Sequence, residues 1–115
     1  MSLAKKLNLK SGLKLRVAGK PTSVDLDDVG TTRAAGAHGV LVFVGSIAEL
    51  DTKAEPALAA AREDRLAWIA YPKAGQLGTD LNRDMLCRHL EGRGVRPVRQ
   101  IAIDDVWSAL RFRPE

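Results

Sequence analysis

Five polar residues fall where two apolar runs end: Ser46, Tyr71, Lys73, Thr79 and Asp80. If those runs are neighbouring parallel strands, the five share a mouth at the strands' carboxyl ends. Open α/β sheets take their ligands at that edge. Lys73 beside a helix N-terminus could hold an anion, so a small anionic ligand is the chemistry this set suggests, bound or turned over. The competing account is architectural. Pro72 stops the strand, Thr79 and Asp80 cap the next helix, and Lys73 is solvated.

Other constellations are weaker. Gly19-Lys20-Pro21-Thr22 has the outline of a phosphate loop, but Lys14 stands where the first glycine belongs and Pro21 where Ser or Thr belongs. Gly75 and Gly78 do not build a dinucleotide fingerprint. Zinc needs several ligands, and Cys87, His38 and His89 are the only Cys and His present. Cys87 and His89, two apart on a helix, point away from each other. Cys87 has no base positioned beside it and reads as a small core residue. The neighbouring carboxylates Asp104 and Asp105 suit a tight turn better than acid–base chemistry. No metal or cofactor is expected.

The elements that must position the mouth follow from periodicity. Ser2 to Leu7 suits one or two helical turns, with Leu3 and Leu7 on one face, broken by Ser11-Gly12. Leu13, Leu15 and Val17 alternate with polar neighbours, a strand wet on one face. Lys20 to Gly30 is too short and turn-rich for a crossover helix. Lys14 and Arg16 are therefore expected to be exposed. Thr31 to Ala35 is a marginal strand. Gly39 to Val44 is apolar throughout and β-branched, a central strand. Ser46-Ile47-Ala48-Glu49 opens a helix as a capping box, and Pro56 kinks or restarts it. Leu66 to Tyr71 is a second central strand.

The next helix would be capped by Thr79 or a neighbour. Leu81, Met85, Leu86, His89 and Leu90 would form its apolar face, with Gly92 or Gly94 ending it. Val98 to Ile103, with Pro97 and flanking arginines, reads as an edge strand. Asp104 to Val106 turns the chain, and Trp107 to Phe112 returns. That last strand should insert between the Leu66 and Val98 strands, antiparallel to both. Trp107 should be buried near Tyr71 or the second helix. The whole is a single α/β domain over residues 1–115, a three-layer Rossmann-like mixed sheet, mostly parallel, with a C-terminal antiparallel hairpin.

Composition agrees with this class. The 115 residues are 45% hydrophobic and 28% charged, as expected of one globular domain. The longest apolar run is too short for a bilayer, which needs about 20 residues. No signal peptide is visible after Lys5 and Lys6. The single cysteine allows no internal disulfide and suits a reducing, cytoplasmic setting. The net charge of +4 gathers in the first twenty residues and the arginine-rich last third. It reads first as a solvated surface and second as a weak nucleic-acid face.

Two resemblances rest on these residues. Tyr71-Pro72-Lys73, Thr79-Asp80-Leu81-Asn82-Arg83-Asp84 and Asp104 to Phe112 resemble recurring elements of an uncharacterised bacterial family of short proteins. That likeness implies an α/β domain and assigns no activity. From Gly39 onward, the order of elements is similar to the back half of S-adenosylmethionine-dependent methyltransferases. Their cofactor sits on a glycine-rich loop after the first strand, with an acid ending the second. Neither feature is recognisable around Gly19 or Ala35, so this likeness implies a reduced relative of the fold.

The leading reading is a small non-catalytic α/β domain acting through a protein partner or small ligand. An enzyme or binder of a small anion at the Lys73–Thr79 mouth is the alternative, and nucleic-acid binding the third. The pattern is compatible with an oligomer.

Overall fold

The computed structural model describes residues 3–9, 13–26, 29–32 and 38–115. Among these, the elements run α1 (Leu3–Lys6), β1 (Leu15–Ala18), β2 (Thr31–Thr32), β3 (Gly39–Phe43), α2 (Ile47–Lys53), α3 (Glu55–Arg62), β4 (Leu66–Pro72), α4 (Arg83–His89), β5 (Val95–Ala102) and β6 (Trp107–Pro114). One mixed sheet takes the order β2-β1-β3-β4-β6-β5. The first four strands are mutually parallel. β6 lies antiparallel between β4 and β5, as expected.

The two apolar runs are the two central strands because only a position flanked on both faces can bury every side chain. β3 is buried at each of its residues. Its alternate residues feed two separate cores. Val40 and Val42 join Ile69, Tyr71, Leu110 and Phe112 beneath α2, α3 and α4. Leu41 and Phe43 join Trp68, Ala70 and Trp107 on the opposite face.

Among the described residues, that second face carries no helix longer than the four residues of α1. It is covered by the single turn of α1 with Leu7 and Leu9, and by Val24, Leu26 and Val29 from the segment before β2. Among the described residues, the third layer of the expected sandwich is thus mostly turn and irregular chain. The indole N–H of Trp68 donates to the Leu7 carbonyl at 2.9 Å and pins this cover down. The turn-rich Lys20–Gly30 segment forms no helix among its described residues, and Lys14 and Arg16 are exposed. Ser2, Ser11, Gly12 and residues 33–35, placed above in a helix start, a break and part of a strand, lie outside the described residues.

Pro56 restarts the helix rather than kinking it. Ala54 ends α2 and opens α3, with Pro56 in the first turn, where its missing N–H costs nothing. Other expectations change. Residues 76–78 make a 3-10 turn and Thr79 is extended, so Asn82 caps α4, its side chain accepting from Met85 N at 2.9 Å. Met85 is exposed, and His89 turns outward to Asp51. β5 starts at Val95, three residues before the expected boundary, because a bulge between Pro97 and Arg99 absorbs the proline. Trp107 is buried but packs edge-on against Phe43, centroids 5.3 Å apart, on the face opposite Tyr71. It pairs with Pro72, and adjacent strand positions point to opposite faces.

Gly39 opens β3 where no side chain fits. A Cβ there would lie 2.4 Å from the Leu66 carbonyl oxygen and 2.7 Å from its Cβ. Gly39→Ala should therefore cost about 1–3 kcal/mol by overpacking. The check is a urea midpoint lowered at constant slope; an unchanged midpoint would contradict the register at this strand.

Candidate functional site

The structure brings three of the five predicted site residues together and spends their polar groups on a helix cap and on ties between two loops. Ser46 Oγ accepts from Glu49 N at 3.2 Å and caps α2. Thr79 Oγ1 donates to the Gly45 carbonyl at 2.8 Å and accepts from Leu81 N at 3.0 Å. Asp80 Oδ1 accepts from Ile47 N at 2.9 Å. Asp80 thus complements the N-terminus of α2, not that of its own helix. The loop leaving β3 and the loop entering α4 are laced together.

Lys73 stands at the rim, partly exposed, its backbone N–H donating to Val106 O at 2.7 Å. Tyr71 lies under the helices, with its hydroxyl buried and without a hydrogen bond of full geometry. Burial pushes its pKa up, and the Cys87 thiol pushes it further, while Arg83 and Gln100 pull the other way. Burial also raises the Cys87 thiol, which makes it a poor nucleophile at neutral pH.

Lacing of this kind has a measurable consequence. Thr79→Val removes two hydrogen bonds and strands the Gly45 carbonyl, so the variant should lose about 1–3 kcal/mol without any ligand present. A thermal melt equal to wild type would show that these contacts do not hold the loops.

The remaining candidates fall to structural duties. His89 Nε2 meets Asp51 Oδ1 at 2.5 Å, and Arg93 joins the same oxygen at 3.2 Å. The hydrogen bond from His89 chiefly holds the Asp51 carboxyl below its ordinary range. Asp104 Oδ1 accepts from Val106 N and Trp107 N, both at 2.8 Å, and so forms the turn into β6. Among the described residues, no three His, Cys, Asp or Glu side chains are grouped to hold a metal. No described helix is long and apolar enough to cross a membrane.

A different site opens beside the carboxyl end of β1. It is a cleft of about 780 Å³. Lys20, Thr22, Ser23, Asp25, Thr31 and Thr32 supply its polar wall. Val17, Val24 and Leu26 supply the apolar part, and the last two are buried in the second core.

Local sequence builds this wall. Gly19 leaves β1 with φ of +74°, and a Cβ there would lie 2.9 Å from the Phe43 carbonyl oxygen. Only glycine accepts both conditions. Lys20 then folds back, its ammonium donating to Pro21 O at 3.0 Å and Val24 O at 2.7 Å. The loop is fastened from inside by two of the ammonium's three N–H groups.

Sequence reasoning missed this cleft. Short hydroxyl residues around a proline signal a turn, and the only hint of more was a glycine and a lysine directly after a strand. Comparison with protein-family models finds no match, and no curated protein matches the chain.

Proposed function

We propose that the protein is a non-catalytic, Rossmann-like domain that binds a small polar ligand in the cleft beside β1. The observation that carries this reading is the cleft's position in the sheet. The chain steps from β1 outward to β2 and resumes at β3 on the other side of β1, so the strand order reverses between β1 and β3, with the cleft on the β2 side of that point. Open α/β sheets bind ligands outside the carboxyl ends of strands at such a reversal. The volume of about 780 Å³ suits a compact metabolite, since ligand pockets run about 300–1,000 Å³. Hydroxyls from two segments, one ammonium and one carboxylate favour a ligand rich in hydrogen-bonding groups, of nucleoside or sugar size.

The insertion of β6 between β4 and β5 supports the methyltransferase-like reading of the fold. The loop after β1 does not support the activity. It offers Gly19 alone and no helix among residues 20–26. S-Adenosylmethionine and its demethylated product should leave the melting temperature unchanged at millimolar concentration. A saturable micromolar isotherm with either would overturn that.

A melting screen across nucleosides, sugars and phosphorylated metabolites tests the proposal. A ligand at 100 times its dissociation constant should add about 2.7 kcal/mol. Ser23→Trp, an exposed turn position, should fill the cleft and abolish that shift while folding normally. A shift that survives Ser23→Trp would sink the assignment.

The half-exposed Lys73 at the rim, in the loop that leads to Thr79, favours a second reading, a small anion bound there. Its mark would be a shift with phosphorylated compounds that Lys73→Gln removes and Ser23→Trp does not.

A further inference from the structure

Four arginines share one sheet face at the far end of the molecule from β1. Arg96 stands directly opposite Arg113, and Arg99 directly opposite Arg111. Direct cross-strand partners point to the same face. Arg111 is also registered with Trp68, which fixes that face as the one opposite the three large helices. In a regular strand Arg96 and Arg99, three apart, would point to opposite sides. The bulge between Pro97 and Arg99 inserts one residue and turns both the same way.

Like charges directly opposite each other destabilise a sheet. Here two such pairs stand in consecutive rows, about 7 Å apart along the strands. Among the described residues, the acid bonded to the cluster is Asp64, which binds Arg113 at 3.1 and 3.2 Å. Arg96 and Arg99 are exposed, and Arg111 is half-buried with its Nε unpartnered. Burial, then the charge of Arg113, lowers the Arg111 pKa. Basic residues continue along the same edge, since Lys6 of α1 donates its ammonium to Ala102 O at the other end of β5 at 3.3 Å.

We propose that this arginine ladder is a docking face for successive phosphates of an extended nucleic-acid strand, read without sequence preference. Charge complementarity selects the partner class, because guanidinium forks match phosphate oxygens and Arg pairs in rows can meet neighbouring phosphates. An acidic peptide adding to the sheet edge suits the geometry less well. Pro97 lacks an N–H and the bulge interrupts the edge of β5. The face is independent of the cleft beside β1, and either can fail alone.

The test is fluorescence anisotropy of a labelled oligothymidylate with the full chain, titrated with salt. Wild type should bind at low salt. The double variant Arg96→Gln/Arg99→Gln should bind more weakly, with the slope of log K against log salt shallower by about 0.7 for each arginine lost. Its melting temperature should equal or exceed that of wild type, because two repulsions are removed. The charge-matched control Lys14→Gln/Arg16→Gln, at the other end of the sheet, should keep the wild-type slope. Absence of binding at low salt would overturn the proposal. So would an equal loss in the control, or displacement of the oligonucleotide by polyglutamate more readily than by polyphosphate.

Discussion

Trp107→Ala is expected to cost about 3–5 kcal/mol, the range for truncating a large buried aromatic. A domain of this size holds only about 5–15 kcal/mol in total, so the variant should melt far lower or fail to fold. The reason is position. Trp107 is 5% exposed and begins β6, the strand that joins the parallel part of the sheet to its edge. Its ring meets Phe43 at an interplanar angle of 73°, an edge-to-face pair that adds to the area it buries. Its carbonyl accepts from Ile103 N and Asp104 N at 2.9 and 3.2 Å, closing the hairpin. A urea titration checks the magnitude. If Trp107→Ala unfolded at the wild-type midpoint, Trp107 would be a recognition residue and the packing account of the hairpin would be wrong.

Trp68→Ala should be of the same size, about 3–5 kcal/mol, through a different mechanism. Trp68 is fully buried, and its indole N–H holds the Leu7 carbonyl. Two losses are therefore superposed: the ring's volume, and the tie that keeps the Leu3–Leu9 segment on the sheet. Trp68→Phe separates them. It keeps an aromatic ring but strands the Leu7 carbonyl, at about 1–3 kcal/mol. Amide hydrogen exchange supplies the second readout. Leu7 N and Leu9 N, which donate to Leu3 O and Ala4 O, should lose protection in Trp68→Phe while β3 and β4 retain theirs. Uniform loss across the sheet would show that the cover and the sheet unfold as one unit.

The central strands were legible because complete burial leaves a mark in composition. Val40 to Val44 and Ala67 to Tyr71 carry no charged residue, and the helical signals of Ser46 and Pro56 are local. The place of β6 was legible for a similar reason. Pro97 and the flanking arginines mark an edge, which puts β6 inside. What failed depended on parity or on partners distant in sequence. Whether Trp107 faces Tyr71 or Phe43 is decided by register, which one residue reverses. Thr79 and Asp80 have the composition of a helix cap, yet their partners, Gly45 and Ile47, lie more than thirty residues earlier. The bulge that aligns Arg96 with Arg99 leaves only a proline in the sequence. The cleft beside β1 is walled by Thr22, Ser23 and Asp25, residues that any surface turn would use, and completed by Thr31 and Thr32 across the gap.

Backbone amide chemical-shift mapping with the strongest stabilising compound from the melting screen tests the ligand site most directly. The largest saturable shifts are predicted at Lys20, Thr22 to Leu26, Thr31 and Thr32, with those at Lys73 to Asp80 small. Shifts concentrated at Lys73 to Asp80, with the β1 loop unmoved, would contradict the assignment of the site.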